Sequence, residues 1–528
     1  MSHTEARALR PAPSFVRAAV TATSLLLLLA VIGIVLFTML RSPLKDDVAW
    51  LLYVARRWLA GRELYVDVVE VNPPLIVWIS AIPIRLAGVL GIDAQFTAIP
   101  FFVATVLACA WWTASLLRGS GSLFEDRLPV FAAIGTVLLV VPAGDLGQRE
   151  HLLVAAILPY LALFARSLDG DRMVPRDALI AGVLAGLGCA LKPRYVGVFV
   201  VLEGLVVLRG LNPFRTMPLV AGATMLAYAG LIAWFCPAYL RRAVPLALAL
   251  YGATDVPLRH LVADSLRLMF GQAVALALWW NRRHRTPEGN LMLTLVVFAI
   301  ASTVICFMDG KDWFYHRLPA TIATVLALLC WAASVLMNSR TDRRKAFLPM
   351  LAGAVACVVF LVAAFQRLEP QMALAVQPEQ NTIAKLERLI RQQKARTYIA
   401  FSEWIALGFP VVNNTGVAWA SRFDSMWALK GELWRARFDA AAAKEWPIRR
   451  WVAHDFIVGC PDIAVVDRRE GVVNYVSLLS ASDPAFARAW SRYRQIAAFD
   501  GMVVYRRAAT GCIDPWVAAE ASQATDSR

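Results

Sequence analysis

The chain has 528 residues, of which 59% are hydrophobic and only 17% charged, with a mean hydropathy of +0.57. A soluble globule is about half apolar and about a quarter charged, so this balance excludes one and marks a polytopic membrane protein. The net charge of +15 is spread over short loops between apolar runs, with no basic stripe or recognition motif, and reads as the positive-inside rule, not a nucleic-acid surface.

In chain order, Arg7, Arg10 and Arg17 precede an apolar run from about Ala18 to Leu40. That run is too long for a signal-peptide core and no small-residue cleavage site ends it. It reads as an uncleaved first membrane helix with the N-terminus in the cytoplasm. The stretch "LKDDVAWLLYVARRWLAGRELYVDVVEVNPPL" (44–75) follows directly. Asp46 and Asp47 stand at the mouth of the membrane segment, where desolvating a carboxylate is costly, and two in a row exceed what a helix cap needs. The residues after them have an amphipathic period, with Arg56 and Arg57 on the polar side, which predicts a helix lying along the membrane surface. Glu70 comes just before the rigid Asn72-Pro73-Pro74.

Further apolar segments run over 75–90, 94–117, 128–142, 151–167, 178–191, 195–210, 217–236, 264–280, 291–308, 318–338 and 347–365, giving about 11–12 hydrophobic helices in all. The basic loops "NRRHR" (281–285) and "SRTDRRK" (339–345) are the clearest cytoplasmic ones, with 166–176 and 209–215 weaker cases. Strict alternation then leaves one net crossing for residues 74–117, so that 75–90 is re-entrant or interfacial. A full crossing there inverts everything downstream.

With the first arrangement, four polar clusters share the periplasmic side: Asp46-Asp47; Gln148, Arg149, Glu150 and His151 in "GQREH"; Lys192 and Arg194 in "LKPR"; and Lys311, Tyr315, His316 and Arg317 in "DGKDWFYHR". Convergence on one face is what an active site at a membrane surface requires. Lys192 with Arg194 suits an anionic group such as phosphate, and Tyr315-His316-Arg317 can bind a phosphate-sugar head or shuttle a proton. Each cluster also has a plainer reading: a solvated turn, a snorkelling cation or an interfacial aromatic belt.

Beyond about Arg367 the character changes. Residues 381–395 have a helical apolar period, 396–402, 462–467 and 501–507 read as strands, and "DPAFARAWSRYRQI" (483–496) reads as a helix. The expectation is a membrane domain over 1–366 with a periplasmic first loop at 41–74, a soluble α/β domain over 367–515, and a disordered tail over 516–528. Of the eight cysteines, Cys109, Cys189, Cys330 and Cys357 lie in apolar runs and read as packing residues. Cys460 and Cys512 are free to pair if the soluble domain lies outside the cytoplasm. No His or Cys spacing suits a metal site.

The acidic pair after the first helix, the "ARRWLAG" surface helix and "LYVDVVEVNPPL" together resemble the GT-C superfamily of membrane glycosyltransferases, in particular the protein O-mannosyltransferases and the lipid A aminoarabinose transferases. "LKP" and the loop bearing Lys311, Tyr315 and His316 also look like pieces of bacterial members. Where those proteins have an Asp-Glu pair and Lys or His before the prolines, this chain has Asp-Asp and Asn72, so the resemblance carries no direct phosphate contact onto that position. It implies a membrane-embedded, inverting hexosyl- or pentosyltransferase using a polyprenyl-phosphate monosaccharide, at the outer face of the bacterial inner membrane. The acceptor would be a glycan, lipid or protein. An Asp of the first loop is general base, with Asp47 preferred to Asp46. Arg149, Lys192, Lys311, His316 or Arg317 stabilise the leaving phosphate, and Glu70 orients the acceptor or holds a divalent cation. A polysaccharide polymerase, a lipid or sugar transporter and a non-catalytic scaffold remain the alternatives.

Overall fold

The protein is described from a computed structural model over residues 14–508, apart from 172, 282–285, 339–342, 440, 442 and 443. Most of the two basic loops, Cys512 and the tail 516–528 lie outside the described residues.

Every apolar segment read from the sequence folds as a helix. They are α1 (Ser14–Arg41), α3 (Pro74–Leu90), α4 (Ala94–Leu117), α5 (Arg127–Val140), α6 (Arg149–Leu168), α7 (Pro175–Leu191), α8 (Val196–Leu208), α9 (Thr216–Phe235), α11 (Leu258–Asn281), α12 (Pro287–Asp309), α13 (Phe314–Asn338) and α14 (Arg343–Val376). Between them lie α2 (Asp46–Leu59) and the short α10 (Val244–Leu250). Among the described residues, seven stretches are long and apolar enough to cross a membrane: α1 from Ala18, α4, α6, α9, α11, α12, and α13 as far as Val335. The chain is a multi-pass membrane protein. α14 runs on to Val376, past the boundary expected near Arg367.

The centre of the bundle is α6, α12 and α13, buried over 83%, 72% and 78% of their apolar windows, while α1 and α9 are buried over only 17%. Their uncovered Leu, Val and Phe side chains are what a lipid bilayer solvates. A polar clamp ties α6, α8 and the start of α9. Arg215 Nη2 donates to both carboxylate oxygens of Glu203 at 2.9 and 2.7 Å, Tyr160 Oη donates to Glu203 at 2.7 Å, and Arg215 Nη1 donates to Ser167 Oγ. Buried charge is kept only where paired in this way.

The C-terminal region, read from the sequence as the soluble domain, has one five-stranded sheet in the order β2-β1-β3-β5-β4, built from β1 (Thr397–Phe401), β2 (Ala418–Trp419), β3 (Ile463–Asp467), β4 (Tyr493–Phe499) and β5 (Met502–Arg507). β2, β1 and β3 are parallel, and β3, β5 and β4 antiparallel. The helix expected over 483–496 is corrected: it ends at Trp490, and Tyr493 begins β4. The cause is the hairpin turn at Asp500-Gly501, both in the left-handed region at φ +51° and +78°, which matches the twist of two paired strands and draws residues 493–499 onto β5.

Docking of this domain matters for the site. Phe409 packs on Trp50 and Tyr53 of α2 with ring centroids 4.9 and 5.0 Å away, Asn413 Nδ2 donates to Ala49 O at 2.7 Å, and Val69 N–H donates to Arg422 O at 2.8 Å. Residues 48–55 of α2 are all buried as a result, so the helix expected to lie on the membrane surface is covered by the soluble domain. A further helix, α15 (Trp427–Ala436), packs on residues 244–254.

Candidate active site

Neither carboxylate of the 46–47 pair caps α2. Lys45 holds the cap position, and both Asp stand in the first turn, where the helix dipole favours an anion. Asp46 is engaged locally: its Oδ1 accepts from Asp47 N–H at 3.0 Å and pairs with Lys45 Nζ at 3.1 Å. Asp47 is engaged across the fold, where Gln148 Nε2 donates to its Oδ2 at 3.0 Å. Burial, and then the charge of Asp46, push the Asp47 carboxyl from its ordinary 3.8 up to about 7, against the pull of Lys45, Gln148 and Arg149.

Glu70 is 2% exposed and accepts from Trp50 Nε1 and, at 2.7 Å, from Asn72 N–H. Burial pushes its carboxyl up, offset first by that backbone bond. Tyr65, strained at φ +68°, donates its hydroxyl to Asn72 O at 2.8 Å. These bonds fix the turn into α3, which starts on Pro74 where no N–H is needed. Each oxygen of Glu70 is thereby occupied. Among the described residues no group of three or more His, Cys, Asp or Glu is placed to hold a metal ion. The donor set does not fit the divalent cation considered from the sequence.

The 147–151 turn is set by Gly147 at φ +86°, where a Cβ would meet the Phe102 ring at 2.6 Å. α6 then begins at Arg149, so Gln148 reaches Asp47 while Glu150 and His151 enter the bundle. His151 Nδ1 accepts from Gly147 N–H at 3.2 Å, which leaves Nε2 as the donor to Leu138 O at 2.8 Å. It is a core histidine.

Lys192 is the hub of a buried ion cluster. Its Nζ stands 2.9 Å from Glu150 Oε1, 2.6 Å from Asp309 Oδ2 and 3.2 Å from His316 Nδ1. Asp309 also pairs with Arg194 at 2.6 Å and His316 at 3.1 Å. Lys311 is likewise committed: Nζ lies 2.7 Å from Tyr251 O, bonds to Thr254 Oγ1 and Asp255 Oδ1, and sits over the Tyr251 ring at 4.4 Å. Arg317 pairs with Asp312 at 3.1 Å.

A cavity of about 320 Å³ lies between the first loop, the start of α6, the 251–254 turn and the soluble domain. That volume is in the range of small-ligand sites. Of the residues singled out from the sequence, it brings Asp47, Glu70, Asn72, Arg149 and Tyr315 to its walls. The others stand behind: Asp46 on Lys45, Gln148 on Asp47, Lys311 under Tyr251, Arg317 on Asp312, and Glu150, Lys192, Arg194 and His316 in the ion cluster.

Most of the cavity's lining was not singled out from the sequence. Trp50, Tyr251 and Trp313 line it from the membrane domain, and Glu403, Asp424, Trp427 and Lys430 from the soluble domain. "YGATD" (251–255), a polar break between apolar helices, was a readable signal; Asp424 in "SRFDSMW" had none. Burial and then the charge of Glu70 push the Asp424 carboxyl up to about 8. The cavity thus carries three carboxyls that resist ionisation, facing the Arg149 guanidinium. The ion pair of Arg149 with Glu150 is long, at 3.9 Å, and Lys192 holds that same oxygen more closely.

No known protein family matches the sequence, and neither does any curated protein. Among solved structures, the chain is similar to ArnT from Cupriavidus metallidurans bound to undecaprenyl phosphate, at 12% identity and a TM-score of 0.54, over 93% of this chain and 99% of that one. It is similar to the apo state of the same protein at 13% identity and a TM-score of 0.53, over 93% and 98%. At this identity the likeness speaks for the fold. The likeness expected from the first loop is met at that level: over nearly its whole length the chain shares the fold of ArnT.

Proposed function

We propose that the protein is an inverting glycosyltransferase, moving a monosaccharide from a polyprenyl-phosphate donor to a glycan, lipid or protein acceptor at the outer face of a bacterial inner membrane, with the soluble domain in the periplasm. The observation that carries this reading is one cavity holding a carboxyl poised near neutrality, Asp47, together with a half-buried guanidinium, Arg149. The shared fold with a protein that binds undecaprenyl phosphate supports it.

Asp47 is the general base, since a carboxylate whose affinity for protons lies near the working pH both deprotonates and accepts a proton efficiently. It removes the proton as the acceptor oxygen bonds to the anomeric carbon. The bond from that carbon to the phosphate oxygen breaks, and a single displacement inverts the configuration. Arg149 stabilises the phosphate that leaves; its charge is available because Lys192 neutralises Glu150. Lys192 and His316 are positioning residues for Arg149. Glu70 is a positioning residue for Trp50 and the Asn72-Pro73-Pro74 turn. The surrounding helices and docked domain leave Asp47 and Arg149 half-buried, so their charges act in a weaker dielectric than water.

The test is to incubate detergent-purified protein with a panel of polyprenyl-phosphate hexoses and pentoses and a membrane-glycan extract, following sugar transfer and polyprenyl-phosphate release by mass spectrometry. Turnover in a single compartment is expected, which a transporter does not give. Turnover only with pyrophosphate-linked oligosaccharides would replace the reading with a polymerase.

A further inference from the structure

The wall that the soluble domain adds to the cavity carries two carboxylates with opposite circumstances. Glu403 is fully engaged: Lys430 Nζ pairs with it at 2.5 Å and Tyr475 Oη donates to it at 2.7 Å. Asp424 bonds only to its neighbour Ser425, whose hydroxyl donates to Oδ1 at 3.1 Å and whose N–H adds a second bond. Among the described residues no Lys, Arg or His pairs with it. Asp455 and Asp462, half-buried acids of the same domain, do have such partners, Arg422 at 2.8 Å and Arg507 at 2.7 Å. A desolvated carboxylate without a partner is costly, which is why Asp424 resists ionisation, and hydrogen-bond donors supplied by a ligand stabilise its ionised form.

The surroundings identify the donors. Across the cavity stand Asp47 and Glu70, so the group that meets Asp424 is not an anion, and the rings of Trp427 and Tyr251, edge to face at 5.2 Å, line the same cavity. A carboxylate that accepts hydrogen bonds, flanked by aromatic faces that pack on C–H groups, recognises the hydroxyls of a sugar ring. The wall is also held firmly enough to select. A Cβ on Gly431 would lie 2.6 Å from Leu250 O, so backbone meets backbone where α15 docks, and Arg435 Nη1 donates to Ala249 O at 3.3 Å.

We infer that Asp424 is a sugar-binding carboxylate which the soluble domain lends to the membrane domain, accepting hydrogen bonds from the hydroxyls of the transferred monosaccharide. Asp47 and Arg149 line the same small cavity and mark the two ends of the reacting bond, which places the transferred sugar beside Asp424. The inference deepens the glycosyltransferase reading and rests on it.

The test compares binding of bare undecaprenyl phosphate with binding of undecaprenyl-phosphate hexoses and pentoses to the full-length protein in detergent, by native mass spectrometry. Wild type is expected to prefer one sugar-bearing lipid over the bare one. Asp424→Ala is expected to lower that preference roughly tenfold to a hundredfold, with Asp424→Asn in between and bare-lipid binding unchanged in both. An unchanged preference overturns the inference, as does loss of bare-lipid binding in both variants, which would make Asp424 a structural residue. The two readings fail separately: wild type that binds none of the lipids removes the glycosyltransferase reading, whereas sugar preference independent of Asp424 removes only this one.

Discussion

Replacing Lys192 by Met separates a direct phosphate contact from a residue that works through its neighbours. Glu150 has no solvent-exposed side-chain surface, and Lys192 holds it at 2.9 Å against 3.9 Å for Arg149. At an effective dielectric of about 20, those separations correspond to about 6 and about 4 kcal/mol of attraction before desolvation. Removing the lysine therefore orphans Glu150 and hands it to Arg149, at a net loss of about 3–5 kcal/mol for a broken buried pair. Thermal unfolding in detergent should drop, and undecaprenyl-phosphate binding should weaken, because Arg149 is now spent on Glu150. Adding Glu150→Gln should recover both, since Asp309 keeps Arg194 and His316, with a coupling of about 1–3 kcal/mol between the two changes. The assay is a double-mutant cycle read by unfolding midpoint and by lipid binding. A Lys192→Met protein of unchanged stability that fails to bind the lipid, unrescued by Glu150→Gln, would refute the reasoning and make Lys192 a phosphate ligand.

Two further outcomes follow from the same geometry. With Asp47 titrating at about 7, the transfer rate should rise with pH through about 7 and then level off; a pH–rate profile flat from 5 to 9 would contradict it. Because the folded protein holds that proton more tightly than the unfolded chain does, stability is lost as pH rises from the ordinary 3.8 through about 7. Asp47→Asn should therefore unfold at a higher temperature than wild type at pH 8 and show little gain at pH 4. Gly431→Ala, which pushes a methyl group against Leu250 O, should lower kcat roughly tenfold or more by shifting the docked wall while bare-lipid binding persists; wild-type kcat would show that the soluble domain need not be seated.

The membrane helices were legible because apolar runs of this length leave few options, and even the short ones at 75–90 and 195–210 fold where the pattern put them. The convergence of the 46–47, 147–151, 191–194 and 309–317 clusters was legible too, from the alternation of loops. What the pattern did not distinguish was a cation facing a ligand from one facing another side chain. Lys192, Lys311 and Arg317 look alike with Arg149 in sequence, yet each is held by Asp309, Asp255 or Asp312, and only Arg149 lines the cavity. Asp424 was out of reach for a different reason. It comes from a loop more than three hundred residues after Asp47, and only the docking of Phe409 on Trp50 and of Gly431 on Leu250 brings the two to one cavity. The 493–499 strand was hidden by an apparent helical period, while the Asp500-Gly501 turn signal was in plain view.

The most direct test of the central claim is the single-turnover rate of sugar transfer from a polyprenyl-phosphate monosaccharide, measured for wild type, Asp46→Asn and Asp47→Asn. Asp46 bonds to Lys45 and Asp47 lines the cavity, so the account requires transfer to survive in Asp46→Asn and to vanish in Asp47→Asn, with the donor lipid still bound. Equal rates in the two variants, or transfer that persists in Asp47→Asn, would contradict it.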